Sequence, residues 1–360
     1  MRLKNKFVKW WVQNLLSKKF TRAVPGFIVT TFDNFSNKTS YRLLLLPEDI
    51  FVNIENRLVD KSEKYKESLV KLGEDWGYNF AYLLGVPVYT GENEKAVQRF
   101  ISFAYKYGLT SWVRDVKYLN IDLRKGEIRA KSTDFVIARK NGMGLILYQG
   151  CIKGLFQYVF NKKIEITSIK LSKDFSDIEF TMSITDKRYN PSFKYSREVL
   201  SQYREINAIR SLSHFKEGGD SAIYDKVFKT EDGLFYWRDY CLIYVGCIVL
   251  YLLESRIKEK QVLFDIGFDW GKEFFQGENL NFFLKTFVLF GFGDVAVIPG
   301  KTPKVVMKYF PWEPLEKDVN DFSLVRGILS GALSSVYSKE IHLKKTSLMK
   351  KHDLFEAVFQ

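Results

Sequence analysis

Basic side chains that could bind phosphate groups are concentrated near the two ends of the chain. The first 25 residues contain no acidic residue and seven basic ones, at Arg2, Lys4, Lys6, Lys9, Lys18, Lys19 and Arg22. A second cluster, near the carboxyl end, contains Lys339, Lys344, Lys345, Lys350 and Lys351. Because lysine and arginine neutralise phosphates and release their counterions, both clusters are candidate surfaces for nucleic acid.

The N-terminal segment has the pattern of a basic amphipathic helix, which we predict over residues 1–24. Apolar residues cover one half of its helical wheel, and Lys6, Lys9 and Gln13 share the other half with Trp10. A tryptophan exposed beside lysines suits stacking on a base or anchoring in an anionic surface. Packing of Trp10 against another part of the protein explains its position equally well.

Residue types that carry catalysis or bind metals are few and dispersed. The three cysteines and three histidines show no zinc-ligand spacing. The segment PGKTPK at 299–304 lacks the first glycine of a phosphate-binding loop, because Val295 occupies that position. We therefore predict a protein that is not an enzyme and holds no cofactor or transition metal. A site assembled across different parts of the chain is the alternative.

Two blocks of sequence recur in the same order along the chain. LGEDWGYNF at 72–80 returns as IGFDWGKEF at 266–274, and GCIKGLFQYVFNKKI at 150–164 returns as GILSGALSSVYSKEI at 327–341. Repetition of this kind indicates two copies of one structural unit. Each copy has the pattern of a hairpin, helices, a second hairpin, a glycine-containing helix and two closing strands.

The repeat predicts an α+β protein with two tandem copies of an antiparallel sheet packed against helices. We place the first copy at residues 25–185, a connecting helix at 186–219 and the second copy at 220–360. The uncharged segment 240–253 is 14 residues long, which is shorter than a membrane span requires. It predicts a buried helix.

Paired glycines mark two predicted helices in each copy, at Gly73 and Gly77, Gly150 and Gly154, Gly267 and Gly271, and Gly327 and Gly331. A glycine inside a helix costs about 1 kcal/mol relative to alanine, so these pairs need an explanation. Close packing of two helices is the favoured one, and contact with a ligand in a pocket is the alternative.

The repeated blocks also carry a tryptophan and an aspartate in each copy. Trp76 and Trp270 fall on the apolar stripe of their predicted helices, where they are expected to join the core. Asp75 and Asp269 flank that stripe, and a structural hydrogen bond is the favoured role for their carboxylates over general-base catalysis.

The order of elements, with paired glycines ahead of a hydrophobic helix and two closing strands, resembles the vinyl-4-reductase domain family. That family is similar in fold to transport-particle tethering subunits and haem-nitric-oxide-binding domains. The resemblance implies a small α/β domain whose apolar pocket serves ligand sensing or assembly. The family's cysteine positions correspond to Lys170 and Ile178 in the first copy and to Met349 and Ala357 in the second, so a cysteine metal site does not carry over.

The charge balance favours an acidic partner. A net charge of +13 and a pI near 9.3 suit binding to nucleic acid or to an anionic membrane surface. Three unpaired cysteines are typical of reduced thiols in the cytoplasm. We therefore expect a regulatory protein that docks on RNA, on a ribosome or on other nucleic acid. A sensor of a small hydrophobic ligand and a tethering protein at a membrane surface are the alternatives.

Overall fold

The computed structural model describes residues 21–24, 26–33, 38–103, 113–138, 140, 142–175, 177–194, 229–231, 234–311, 321–351 and 354–360. Within these residues the chain has an α+β fold with antiparallel sheets packed against helices, as predicted. The first copy contains β1 Thr21–Val24, β2 Phe27–Asp33, β3 Lys38–Pro47, α1 Glu48–Lys61, α2 Lys64–Leu84, α3 Glu94–Phe103, β4 Val113–Asp122, β5 Glu127–Phe135, α4 Leu145–Phe160, β6 Lys162–Leu171 and β7 Asp177–Arg188.

The second copy repeats most of this order. Its elements are β8 Lys229–Glu231, β9 Leu234–Trp237, β10 Tyr240–Gly246, α5 Ile248–Arg256, α6 Lys260–Phe274, α7 Leu280–Leu289, β11 Asp294–Ile298, β12 Lys304–Lys308, α8 Ser323–Val336, β13 Thr346–Lys351 and β14 Leu354–Phe359. Trp76 lies on α2 and Trp270 on α6, so the two tryptophans occupy like elements. Both side chains are buried.

Local sequence explains where several of these elements begin and end. Pro47 precedes α1, and the first turn of that helix carries Glu48 and Asp49, whose negative charge suits a helix N-terminus. Gly85 ends α2 in the left-handed region with a φ of 64°, which a glycine adopts without a steric penalty.

Three element boundaries differ from the sequence predictions. Residues 21–24 were assigned to the N-terminal helix but form β1, because they pair with β2 across Gly26. Strand β7 continues to Arg188, past the expected domain end at 185, because its last residue still pairs with Lys162 of β6. Residues 189–194 follow without helical structure, and the remainder of the predicted connecting helix lies outside the described residues.

The segment 240–253 is not one buried helix, as its composition suggested. It forms β10 and then most of α5. A short apolar run is typical both of a buried helix and of a strand covered on both faces, and periodicity does not separate the two. Strand β10 lies between β3 and β9, and Cys241, Leu242 and Ile243 are buried in succession.

The sheets connect the two copies in a way that the repeat alone does not indicate. The strands β4-β5-β7-β6 form a four-stranded sheet in the first copy, and β11-β12-β14-β13 form its counterpart in the second. The N-terminal hairpins instead merge into one six-stranded sheet with the order β1-β2-β3-β10-β9-β8. Helices α1 and α2 contact α6 and α5 of the other copy beside this shared sheet.

The pairing register of β3 with β10 is the one that a two-fold symmetry axis between the two copies would produce. Leu45 lies opposite Tyr244, and the flanking pairs are Leu43 with Gly246 and Pro47 with Leu242. In the sequence, IENR at 54–57 aligns with LESR at 253–256, which makes Tyr244 the equivalent of Leu45. Each strand therefore faces its own counterpart, as the strands of a symmetric dimer would.

A reciprocal pair of salt bridges follows the same symmetry. Arg57 binds Asp269 of the second copy, and its equivalent Arg256 binds Asp75 of the first. The Asp75 carboxylate is fully buried and also accepts a hydrogen bond from the Ser192 hydroxyl at 2.7 Å. The Asp269 side chain is 52% exposed. The two aspartates therefore hold equivalent positions in very different solvent environments.

A buried glutamate caps the glycine-containing helix in each copy. The Glu55 carboxylate accepts hydrogen bonds from the backbone N–H groups of Gly144, Ile146 and Leu147, at 2.8, 3.0 and 3.2 Å. Glu254, which aligns with Glu55, accepts one from Leu324 at 3.0 Å. These carboxylates satisfy N–H groups that a helix start leaves without a partner.

The glycine pairs lie where α2 crosses α4 and where α6 crosses α8. A Cβ atom on Gly150 would lie 2.8 Å from the Cα of Gly73, and one on Gly327 would lie 3.0 Å from the backbone nitrogen of Phe268. The same holds at every glycine of the pairs, since the nearest atoms are backbone atoms of the partner helix. Backbone therefore fills the space that a ligand would need there.

We expect Gly150→Ala to destabilise the protein by about 2 kcal/mol, because the added methyl group meets backbone that no rotamer change can clear. Helix propensity alone would give the opposite sign, a gain of about 1 kcal/mol. Denaturant unfolding measures the difference. Gly300→Ala is the control, since Gly300 is exposed in a turn. A Gly150→Ala protein as stable as the parent would contradict the close backbone contact between α2 and α4.

The two aspartates provide a matched pair of variants. Asp75→Asn leaves Arg256 beside a buried neutral group, and we expect a loss of about 3 kcal/mol. Asp269→Asn removes an exposed salt bridge, so a loss below about 1 kcal/mol is expected. Chemical denaturation of both variants measures the loss in free energy of unfolding. Equal losses would show that burial makes no difference to what the two salt bridges contribute.

Candidate nucleic-acid interface

The structure locates one of the predicted N-terminal site residues. Arg22 lies on β1, an edge strand of the six-stranded sheet, and not on the predicted helix, because residues 21–24 pair with β2. The others lie outside the described residues: Lys4, Lys6, Lys9, Trp10, Lys18 and Lys19.

The C-terminal lysines follow α8, and we call residues 338–345 the C-terminal basic segment. Two buried serines on α8 hold the segment in place. The Ser334 hydroxyl accepts a hydrogen bond from the backbone N–H of Ile341 at 2.8 Å, and the Ser330 hydroxyl accepts one from Leu343 at 3.0 Å. Since these serines are four residues apart, they lie on one face of the helix.

The far end of the segment is tied to the last strand. The backbone N–H groups of Lys344 and Lys345 donate to the carbonyl of Gln360 at 2.7 and 2.8 Å, and the N–H of Gln360 donates back to Lys345 at 2.9 Å. The segment is thus fixed at both ends by hydrogen bonds to its backbone.

Burial alternates along this extended segment. Ile341 and Leu343 are buried, whereas His342, Lys344 and Lys345 are exposed. Lys339 is also exposed, at the start of the segment. The alternation places His342 and Lys344 on the same side of the segment, and Lys339 and Lys345 are also exposed along the chain. The remaining two, Lys350 and Lys351, follow on β13.

The imidazole of His342 lies flat on an aromatic side chain of α6. Its ring centroid is 4.9 Å from that of Phe268, with an angle of 7° between the ring planes. Phe264, one turn earlier on α6, stacks on Phe268 at 6.1 Å. The guanidinium of Arg326 lies over the Phe264 ring, 5.0 Å from its centroid, and it also donates a hydrogen bond to the carbonyl of Leu343 at 3.0 Å.

One acidic residue offsets part of the positive charge. The Glu340 carboxylate lies 2.6 Å from Nε2 of His342. The hydrogen bond to His342, and then the charges of His342 and Lys272, lower the pKa of Glu340. Among the described residues, Lys339, Lys344 and Lys345 form no ion pair. These lysines therefore supply the excess positive charge of the surface.

A groove of about 650 Å³ lies beside the segment, between the C-terminal parts of α6 and α8. Its lining residues are mostly polar or charged, and they include three acids, Asp269, Glu273 and Glu340, beside Lys272 and Lys339. Because acids outnumber lysines there, the lining does not favour a phosphate chain, and its polar side chains differ from the apolar pocket that the family resemblance implies.

The described residues offer little to nucleophilic or metal chemistry. No group of three histidine, cysteine, aspartate or glutamate side chains among them could hold a metal ion. Burial raises the pKa of the Cys151 thiol to about 12, so this thiol is protonated at neutral pH. No helix in the described part of the chain is long and apolar enough to cross a membrane. The expected absence of a metal and of catalysis stays a prediction.

Sequence reasoning missed several residues that build this surface. The sequence does not single out His342, because its chain neighbours are lysines and its stacking partner Phe268 is far away in sequence. Nothing in the sequence around the serines at 330 and 334 indicates that they hold the C-terminal basic segment. The four-residue match of IENR to LESR would have pointed to the paired Glu55 and Glu254 and to the salt bridges.

Comparison with known proteins leaves the relationships of the chain open. No protein-family model matches it, and no curated protein matches it in sequence. The resemblance to vinyl-4-reductase domains therefore stays a prediction from the repeat and the order of elements.

The two serines give a test of how firmly the segment is held. In Ser330→Ala/Ser334→Ala, the buried N–H groups of Ile341 and Leu343 lose their acceptors, at a cost of about 1 to 3 kcal/mol each. We expect hydrogen exchange at these two amides to accelerate at least tenfold. Ser335→Ala is the control from the same helix turn. Unchanged exchange in the double variant would contradict the anchoring role.

Proposed function

We propose that this chain is a non-catalytic regulatory protein of the cytoplasm that docks through its basic ends on RNA or on an RNA-rich assembly such as the ribosome. The observation that carries the proposal is the exposed row of Lys339, Lys344 and Lys345 on a segment fixed by hydrogen bonds. Lysines on a fixed backbone meet phosphates with less loss of chain entropy than lysines on a free one.

Two further observations support the proposal. The net charge of +13 attracts polyanions at long range, and seven basic residues without an acidic one lie in the first 25 positions. The three cysteines are free thiols, as expected in a reducing compartment. In this proposal the two copies form the scaffold that carries the basic ends.

The alternative of a hydrophobic-ligand sensor has less support. The glycines that would line its pocket are in contact with backbone, and the groove beside α8 is mostly polar. Docking on a membrane surface would use the same lysines, but it would depend on anionic lipid and not on RNA. Binding to RNA in the absence of lipid distinguishes these functions.

The test is the salt dependence of RNA binding. We expect Lys339→Ala/Lys344→Ala/Lys345→Ala to weaken binding to single-stranded RNA and to reduce the log–log salt slope by about 2, since each phosphate contact contributes about 0.7. The control Lys163→Ala/Lys170→Ala/Lys173→Ala removes the same charge from exposed sites of the first copy. Equal effects of the two triple variants would contradict a specific C-terminal surface.

The N-terminal cluster is tested in the same assay. Substituting Lys4, Lys6, Lys9, Lys18 and Lys19 with alanine should lower affinity and flatten the salt slope without unfolding the protein. Trp10→Ala should lower affinity alone if the ring stacks on a base, and should lower stability if it packs internally. Unchanged affinity in both variants would remove the N-terminal segment from the docking surface.

A further inference from the structure

Phe264 and Phe268 of α6 form a group of stacked rings with His342 of the C-terminal basic segment. Phe264 is buried, Phe268 is half-buried, and the His342 ring, which stacks on both of them, belongs to a side chain that is 45% exposed. The 7° angle makes the His342 and Phe268 rings nearly parallel, and the 45% exposure of the His342 side chain leaves part of the imidazole accessible to solvent. Flat rings of this kind are the surfaces on which nucleobases stack.

The position of the imidazole is fixed from three sides. Glu340 holds Nε2, Phe268 supports the ring, and the buried neighbours Ile341 and Leu343 anchor the backbone. Arg326 strengthens this arrangement because it contacts both Phe264 and the carbonyl of Leu343. A ring held in this way loses little freedom when a base stacks on it.

The neighbouring lysines are placed to meet the phosphates of the same strand. Lys344 lies two residues beyond His342 on the exposed side of the extended segment, which corresponds to about 7 Å. Lys339 and Lys345 extend the positive surface on either side. Alternating positive charge and an exposed ring is the combination that single-strand binding sites use.

We propose that the C-terminal basic segment binds single-stranded RNA and stacks an unpaired base on the imidazole of His342. This inference rests on the proposed function and specifies the form of nucleic acid that the same surface recognises. Bases inside a duplex are stacked on one another and are not available to the ring, whereas unpaired bases are. The surface should therefore prefer single strands to duplex.

The experiment measures the binding of the 360-residue chain to a labelled single-stranded RNA of about 12 nucleotides, a length within the range of single-strand sites. The same RNA annealed to its complement and an abasic version of it are compared at one salt concentration. The parent protein should bind the intact single strand about tenfold more tightly than the abasic one. This comparison requires no protein variant.

Variants at the ring identify where the base stacks. His342→Ala should lower affinity for the intact single strand about tenfold, leave the salt slope unchanged, and leave affinity for the abasic strand and the duplex unchanged. His342→Phe should retain the affinity because it keeps a flat ring. Tyr337→Ala is the control, since Tyr337 is another exposed aromatic residue near the segment. Thermal unfolding of each variant verifies its fold.

The outcomes separate this inference from the proposed function. If the lysine triple variant loses affinity and His342→Ala binds the intact strand like the parent, stacking on His342 is refuted and docking through lysines stands. Equal affinity of the parent for intact and abasic strands also refutes it. A parent protein that binds no RNA at low salt refutes both.

Discussion

The antiparallel pairing of β3 with β10 is the constraint on which the arrangement of the two copies depends. The four leucines of β3, at positions 43 to 46, are buried in succession, so the strand is covered on both faces and alternation of its side chains does not fix the register. In the observed register, Leu45 faces its own equivalent Tyr244, and both interdomain salt bridges form at once. One register therefore satisfies the sheet and the polar contacts together.

The shared sheet and the glycine-containing crossing of α6 with α8 together determine where the basic surface lies. Helix α6 is fixed beside the shared sheet, and the glycines at 267, 271, 327 and 331 bring α8 into backbone contact with it. Ser330 and Ser334 on α8 then hold the segment that carries His342, while Phe268 on α6 supports the ring. The crossing of α6 and α8 thus sets the distance between the His342 ring and the Phe268 ring on which it stacks.

The sequence carries local signals well and long-range pairing poorly. The repeat at Gly73 and Gly267 predicted the equivalent helices, and the second hairpin predicted in each copy is present as β4–β5 and β11–β12. The shared sheet escaped prediction because pairing of β3 with β10 joins residues about 200 positions apart. The strand in 240–253 escaped because a strand buried on both faces has no alternation.

The two copies differ where the binding surface is proposed, although their cores agree. Continuing the alignment of 150–164 with 327–341 places Glu165, Thr167 and Ser168 of the first copy opposite His342, Lys344 and Lys345. Glu74, which pairs with Lys153, takes the position of Phe268. Since the first copy has acids in place of His342 and Phe268 and hydroxyls in place of the two lysines, the shared fold is not what creates the surface. The RNA-binding role proposed for the second copy comes from these few exchanged side chains on a common scaffold.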